Sequence, residues 1–291
     1  MNKKLILGTA NFGNVYGISN NNRSAPLVDR EKAYALVNTA ISLGIDTFDT
    51  AQNYGPSLEW LVDFAETYKF KIWSKVAWVG GESSNSKDFV DSISRYFDKY
   101  GSENLELLQF HNWKPDLDKS EIVERIDYVQ SEWKTKVGAT TYGSESALSA
   151  VRYFENIQIE CNLLNKHAYL AIKEKLSRDQ LLNVRSLFLQ GILLKDSTDL
   201  DLKFNELKPA LGNIDEIIKD SGIARKEFII RWFHDLEGVS GLVVGADAPE
   251  QLEEIHSSFA KGALPRESIR KLESLNSLNF EMADPRNWNM S

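Results

Sequence analysis

The chain is predicted to fold as one closed (β/α)8 barrel, a TIM barrel, and three observations carry that reading. Short apolar runs alternate with longer amphipathic stretches, the pattern of parallel strands joined by crossover helices. Eight such runs can be placed in the 291 residues, the number a closed barrel needs. The turn after the first run reads GTANFGNVYG, without the GxGxxG spacing that an open doubly wound sheet usually shows there.

The strands expected are Lys4 to Gly8, Ile45 to Asp49, Lys71 to Lys75, Leu105 to Phe110, Lys136 to Ala139, Ile157 to Glu160, Asn183 to Leu187 and Gly241 to Val244. Between them, Asp29 to Leu43, Ser86 to Tyr100, Lys119 to Trp133, Glu145 to Phe154 and Pro249 to Ala260 carry helical patterns. Several open on Ser, Asp or Pro, as helix starts prefer. The longest irregular insertion, Leu193 to Pro209, follows the seventh strand and is expected over the active face. No repeat, low-complexity tract or linker divides the chain, so 1–291 reads as a single domain, with a further helix and a polar tail from about Arg266. Only four residues precede Leu5. Little or no β-hairpin plug is expected there, and another segment or bulky core side chains must close the barrel floor.

The formal net charge of -8 and the lack of a Lys/Arg-rich block point away from nucleic acid or an anionic membrane as a partner. Cys161 is the only cysteine, which excludes an internal disulfide, and MNKKLILGTA lacks signal-peptide architecture. No apolar run approaches the roughly twenty residues that cross a bilayer. A cytoplasmic protein, monomeric or a small homo-oligomer, with no metal site, is the expectation.

Barrel catalysis comes from the carboxyl ends of strands and the loops after them. Asp49 ends the second strand, Tyr54 follows it in GIDTFDTAQNYG, Lys75 ends the third and His111 the fourth. A phenol titrates near pH 10 and is a reluctant acid until a cation stabilises its phenolate. Lys75 would supply that charge, Asp49 would keep Lys75 protonated and aimed, and a neutral His111 would orient a carbonyl oxygen near Tyr54. Each residue also has a plainer role: Asp49 as a helix cap, Lys75 and His111 as loop residues, Tyr54 as a half-buried aromatic. Four such accidents on three consecutive strand ends make a poor joint explanation.

These residues resemble the aldo-keto reductase family. GTANFG, the block GIDTFDTAQNYG followed by Glu59, the Lys75 strand and LLQFH look like its hallmarks, in the family's order, and the likeness extends to about His256. It implies a barrel that binds a nicotinamide cofactor without a Rossmann domain and reduces an aldehyde or ketone, with Tyr54 as acid, Lys75 and Asp49 as its tuning pair and His111 as the orienting residue.

The resemblance also implies cofactor contacts. Gly8 and Thr9 match positions beneath the nicotinamide ribose, and Gln158 matches the residue that fixes the carboxamide. Thr140 and Thr141 stand where the family usually has Ser-Asn. Arg185 stands where it has a stacking tyrosine, with Ser186, Gln190 and Gly191 still on pattern. A guanidinium can stack on a ring, but it also brings a charge suited to pyrophosphate or an anionic substrate group; a surface arginine is the plainer reading. In VVGADAPEQLEEI, the stretch Gly245, Ala246, Asp247 resembles the adenosine-binding segment, and Gly245 and Gln251 replace the Lys and Arg that grip a 2′-phosphate. Asp247 suits a free 2′-hydroxyl. Glu254 matches the adenine contact, and Gln251 could be plain exposed helix. NADP(H), the family default, is placed slightly ahead of NAD(H).

Asn11, Phe12, Tyr16, Trp78, Asn112 and Trp113 are candidate pocket walls, suited to a sugar-like or aromatic carbonyl substrate; Trp78 and Trp113 could instead pack against helices. The leading reading is an NAD(P)H-dependent reductase of a small-molecule carbonyl. The alternatives are a non-catalytic nicotinamide-binding regulatory barrel and a lyase using Lys75 as a Schiff-base amine.

Overall fold

The computed structural model describes residues 3–15, 28–77, 86–114, 119–275, 283–285 and 288. Within them eight parallel strands close into one barrel in chain order. They are β1 Lys4–Gly8, β2 Thr47–Asp49, β3 Lys71–Ala77, β4 Leu105–His111, β5 Lys136–Thr140, β6 Asn156–Glu160, β7 Leu181–Arg185 and β8 Val239–Val244. The ring closes where β8 pairs with β1, from Lys4↔Gly241 to Leu7↔Val244. The described helices are α1 Arg30–Ser42, α2 Ser57–Phe64, α3 Ser86–Tyr100, α4 Lys119–Trp133, α5 Gly143–Ala150, α6 His167–Ile172, α7 Lys208–Ser221, α8 Arg225–Trp232, α9 Pro249–Ala260 and α10 Arg266–Glu273.

Strand side chains alternate between two environments. Leu5 and Leu7 pack outward under the helices, whereas Ile6 joins Trp73, Leu107 and Val243 in a separate cluster inside the barrel. Helix α1 answers the outward face with Ala33, Leu36, Val37 and Ala40, a stripe at helical spacing. Its start is set by Asp29, whose side chain accepts from the Lys32 N–H at 3.0 Å. The interior is tight enough to demand glycine twice. A Cβ on Gly138 would stand 2.6 Å from the Asn156 carbonyl, and one on Gly241 would stand 2.3 Å from Asn183 Oδ1.

Among the described residues, side chains fill the floor of the barrel. Trp73 is buried among the inner cluster, its Nε1 donates to Glu106 Oε2 at 3.0 Å, and the Lys4 ammonium lies over its ring at 4.5 Å. Lys3 ties the start of β1 to the end of α8 by donating to the carbonyls of Phe233 and His234 at 3.0 and 2.9 Å.

Every strand but β1 differs from the sequence expectation by one or two residues at one or both ends, and two of these shifts have identifiable reasons. The Ile45 N–H bonds back to the Ala40 carbonyl at 2.8 Å, so β2 begins at Thr47. Ser186 takes φ 63°, which ends β7 at Arg185 instead of Leu187. Helix α5 runs Gly143–Ala150 instead of Glu145 to Phe154. The stretch expected as an irregular insertion is built of short 3-10 turns at Leu189–Leu194, Ser197–Asp199 and Leu202–Leu207, and α7 begins before Pro209. No described helix is long and apolar enough to cross a membrane.

Candidate active site

The four residues singled out in the sequence converge at the carboxyl end of the barrel. Lys75 faces inward from β3 and is only 1% exposed; its ammonium donates to Asp49 Oδ1 and to the Thr50 carbonyl, the latter at 2.9 Å. The same Nζ lies 5.2 Å from the centre of the Tyr54 ring. Tyr54 in turn meets His111 edge to face, with ring centroids 6.2 Å apart. The Lys75 Nζ thus bonds to both a carboxylate and a carbonyl.

Asp49 is the hub. Beside Lys75 it accepts from Gln158 Nε2 at 2.7 Å and from Gln109 Nε2 at 3.4 Å, both through Oδ2. Gln109 was missed by sequence reasoning, although its position two residues before His111 puts it on the same inward face of β4. The loop carrying Tyr54 is anchored from beneath. Ser57 Oγ donates to Thr9 Oγ1 at 2.7 Å, and Thr9 donates to the Asp49 carbonyl through Oγ1 at 3.1 Å and through its N–H at 2.9 Å.

The electrostatics depart from expectation at Tyr54. Burial first, and the Asp49 carboxylate second, push the phenol above its ordinary range, and the cation that opposes them is Arg185. The phenol is therefore held protonated at neutral pH. Burial lowers Lys75, against the pull of Asp49. His111 is lowered to about 4 by burial, aided by the Lys75 and Arg185 charges, which keeps its imidazole neutral near pH 7 as expected.

A cleft of about 440 Å³ runs from Asp49 and Tyr54 across the ends of β1, β7 and β8 to α8 and α9. Of the expected cofactor residues, Gly8, Thr9, Arg185, Ser186, Gln190, Gly245, Ala246, Asp247 and Gln251 line it. Thr140, Thr141, Gln158 and Glu254 do not. Thr140 Oγ1 accepts from the Asn112 N–H at 3.1 Å, and the Glu254 carboxylate pairs with Lys226. Gln251 lines the cleft, yet its Oε1 accepts from the Asp247 N–H at 2.9 Å, so it braces the start of α9. Lys226, on the cleft wall, has no local motif and was also missed.

The expected pocket walls fare differently. Phe12 and Trp113 are fully buried core residues, Trp113 packing edge-on against Phe154 at 4.9 Å, because the loops carrying them fold down between barrel and helices. Asn11 belongs to the cleft: its Nδ2 donates to the Ala246 carbonyl and to Asp247 Oδ1, both at 2.8 Å. Asn112 forms the turn after β4 with φ 56°. Tyr16 and Trp78 lie outside the described residues.

The site fits a dinucleotide on three observations. Asn11 Oδ1, on the cleft wall, is buried without a hydrogen-bond partner among the described residues, an acceptor available to a ligand's donor. A Cβ on Gly245 would meet only the Gly8 carbonyl, at 3.9 Å, so the backbone there is open to the cleft. The loop after β7 holds Ser186, Leu189, Gln190 and Gly191 at φ 63°, 48°, 53° and 99°, and three of these are not glycine.

A family model described as the aldo/keto reductase family matches residues 4–277. Among solved structures, a candidate aldo-keto reductase from Pseudomonas aeruginosa superposes with a TM-score of 0.65 at 21% identity, covering 88% of this chain and 89% of that one. A second structure of a candidate aldo-keto reductase from the same organism gives 0.63 at 21% identity over the same shares. No curated protein matches the chain by sequence.

Proposed function

This chain belongs to the aldo/keto reductase family, whose chemistry is carbonyl reduction, and from that premise we propose that it reduces an aldehyde or ketone to the alcohol with Tyr54 as proton donor. The observation that carries the reading is the convergence of Tyr54, Lys75, Asp49 and His111 at one end of a closed barrel.

Each residue has a distinct part. Tyr54 holds the proton for the carbonyl oxygen, and burial keeps that proton in place until charge develops on the substrate. Lys75, fixed by Asp49, stabilises the phenolate left behind; the two form a neutral pair that is desolvated once, on folding. Neutral His111 donates to the carbonyl oxygen and sets it against Tyr54 Oη. A nicotinamide dinucleotide, when bound, supplies the hydride. Asn11, Ser186, Gln190 and Gly245 would hold it in the cleft.

NADP(H) is proposed slightly ahead of NAD(H). Lys226 supports a 2′-phosphate at the outer end of the cleft, while Asp247 and Glu254 keep the margin small. Replacing Tyr54 by Phe tests the proposal: turnover of a carbonyl panel should collapse while a dinucleotide still binds, and retained turnover would remove Tyr54 from its role.

A further inference from the structure

The inward face of β4 carries an amide where a barrel interior is usually filled by branched apolar side chains. Gln109 is in register with Lys75 of β3 and with Gly138 of β5, and along its own strand it stands between Leu107 of the inner apolar cluster and His111 at the mouth. It is fully buried and is not part of the cleft wall. Its Nε2 donates to Asp49 Oδ2 at 3.4 Å, and among the described residues its Oε1 has no partner. Gln158 of β6, equally buried, repeats the arrangement: Nε2 donates to the same oxygen at 2.7 Å, and Oε1 has no partner among the described residues. A buried amide with an unmet acceptor costs stability that an apolar side chain of similar length would not. Both amides spend that cost on one carboxylate.

The two oxygens of Asp49 have separate duties. Oδ1 takes the Lys75 ammonium, and Oδ2 takes the two amides, one from each of two other strands. A carboxylate turns about its Cβ–Cγ bond in a broad well, so a single partner does not fix its plane. Donors on the second oxygen do. On the reductase reading, on which this inference rests, the Lys75 charge must stay beside Tyr54, where its Nζ lies 5.2 Å from the ring centre, to meet the phenolate as the proton leaves. We propose that Gln109 is a positioning residue for the reaction: with Gln158 it clamps Asp49 Oδ2, and through Asp49 it holds the Lys75 ammonium against Tyr54. Gln109 takes no part in the bond changes.

The test uses the full chain, NADPH and NADH in turn, and the best-used member of a panel of aldehydes and ketones led by 4-nitrobenzaldehyde and glyceraldehyde. Gln109→Met keeps the length and removes the donor. Its kcat should fall by about tenfold or more, the scale of one hydrogen bond to a charged group, while the carbonyl KM and the dinucleotide dissociation constant, read by fluorescence, stay within about threefold. Gln109→Asn keeps the amide one methylene short and should fall in between; it is read in the same way should circular dichroism show that the Met variant fails to fold. Because the effect runs through Asp49, Gln109→Met added to Asp49→Asn should lower kcat by no more than about twofold further. A native-like kcat in folded Gln109→Met, a loss shared equally by kcat and dinucleotide binding, or a loss repeated in full on the Asp49→Asn background overturns the inference and leaves the reductase reading standing. A native protein that binds dinucleotide and reduces no member of the panel overturns both.

Discussion

Replacing Asp49 by Asn isolates the interaction that organises the site. The Asp49–Lys75 pair is almost wholly removed from water, and among the described residues the Lys75 ammonium has the Thr50 carbonyl besides Asp49 as acceptor. Removing one partner of a buried pair strands the other charge, at a cost of about 3–5 kcal/mol. With roughly 2 °C lost per kcal/mol in a domain of this size, Asp49→Asn should lower Tm by roughly 6–10 °C. Lys75→Met should cost less, about 2 kcal/mol, because Asp49 keeps Gln158 and Gln109 as donors and only one acceptor atom loses its partner. The double variant strands no charge, so the two costs should fail to add by about 2 kcal/mol or more. Urea denaturation of the four proteins, followed by circular dichroism, measures each value. Additive costs, or a Lys75 variant costlier than the Asp49 one, would refute the hub geometry.

Two further perturbations follow from the charges. His111 has a folded-state pKa of about 4 against 6.5 unfolded, so the folded protein binds fewer protons between those values. Its contribution is present above the unfolded value and is lost as pH falls toward 4, a loss of about 3 kcal/mol in all; His111→Gln should flatten that part of the stability profile from pH 6.5 to 4, as thermal unfolding across buffers will record. At the other end of the cleft, Lys226→Gln should weaken NADPH about tenfold or more relative to NADH, and Glu254→Gln should shift the ratio the opposite way by freeing Lys226, with fluorescence titration as the measurement.

The barrel was legible because its strands are buried on both faces and read as near-continuous apolar runs, which fixes their number even where an end is off by two residues. Asp49, Tyr54, Lys75 and His111 were legible because strand ends converge by construction in this architecture. What sequence could not supply is depth. Phe12 and Trp113 sit in loops beside the site, and nothing local shows that they turn into the core. Tyr54 was expected to be shifted downward by Lys75, yet burial dominates, and burial is a property of the whole fold. Ser186, Leu189 and Gln190 adopt left-handed backbone without the glycine signature that would have announced it. Lys226 reaches the cleft from α8 through tertiary placement alone.

The central claim is that the Tyr54 proton is the one delivered to the carbonyl. Tyr54→Phe keeps the ring beside Lys75 and removes only the hydroxyl that carries that proton. Steady-state turnover of a responsive carbonyl should fall by roughly 10²–10⁴-fold, while the dissociation constant for the dinucleotide, read by fluorescence, stays within about threefold, or 0.7 kcal/mol. A Phe variant that turns over within a few-fold of the native enzyme would contradict the account.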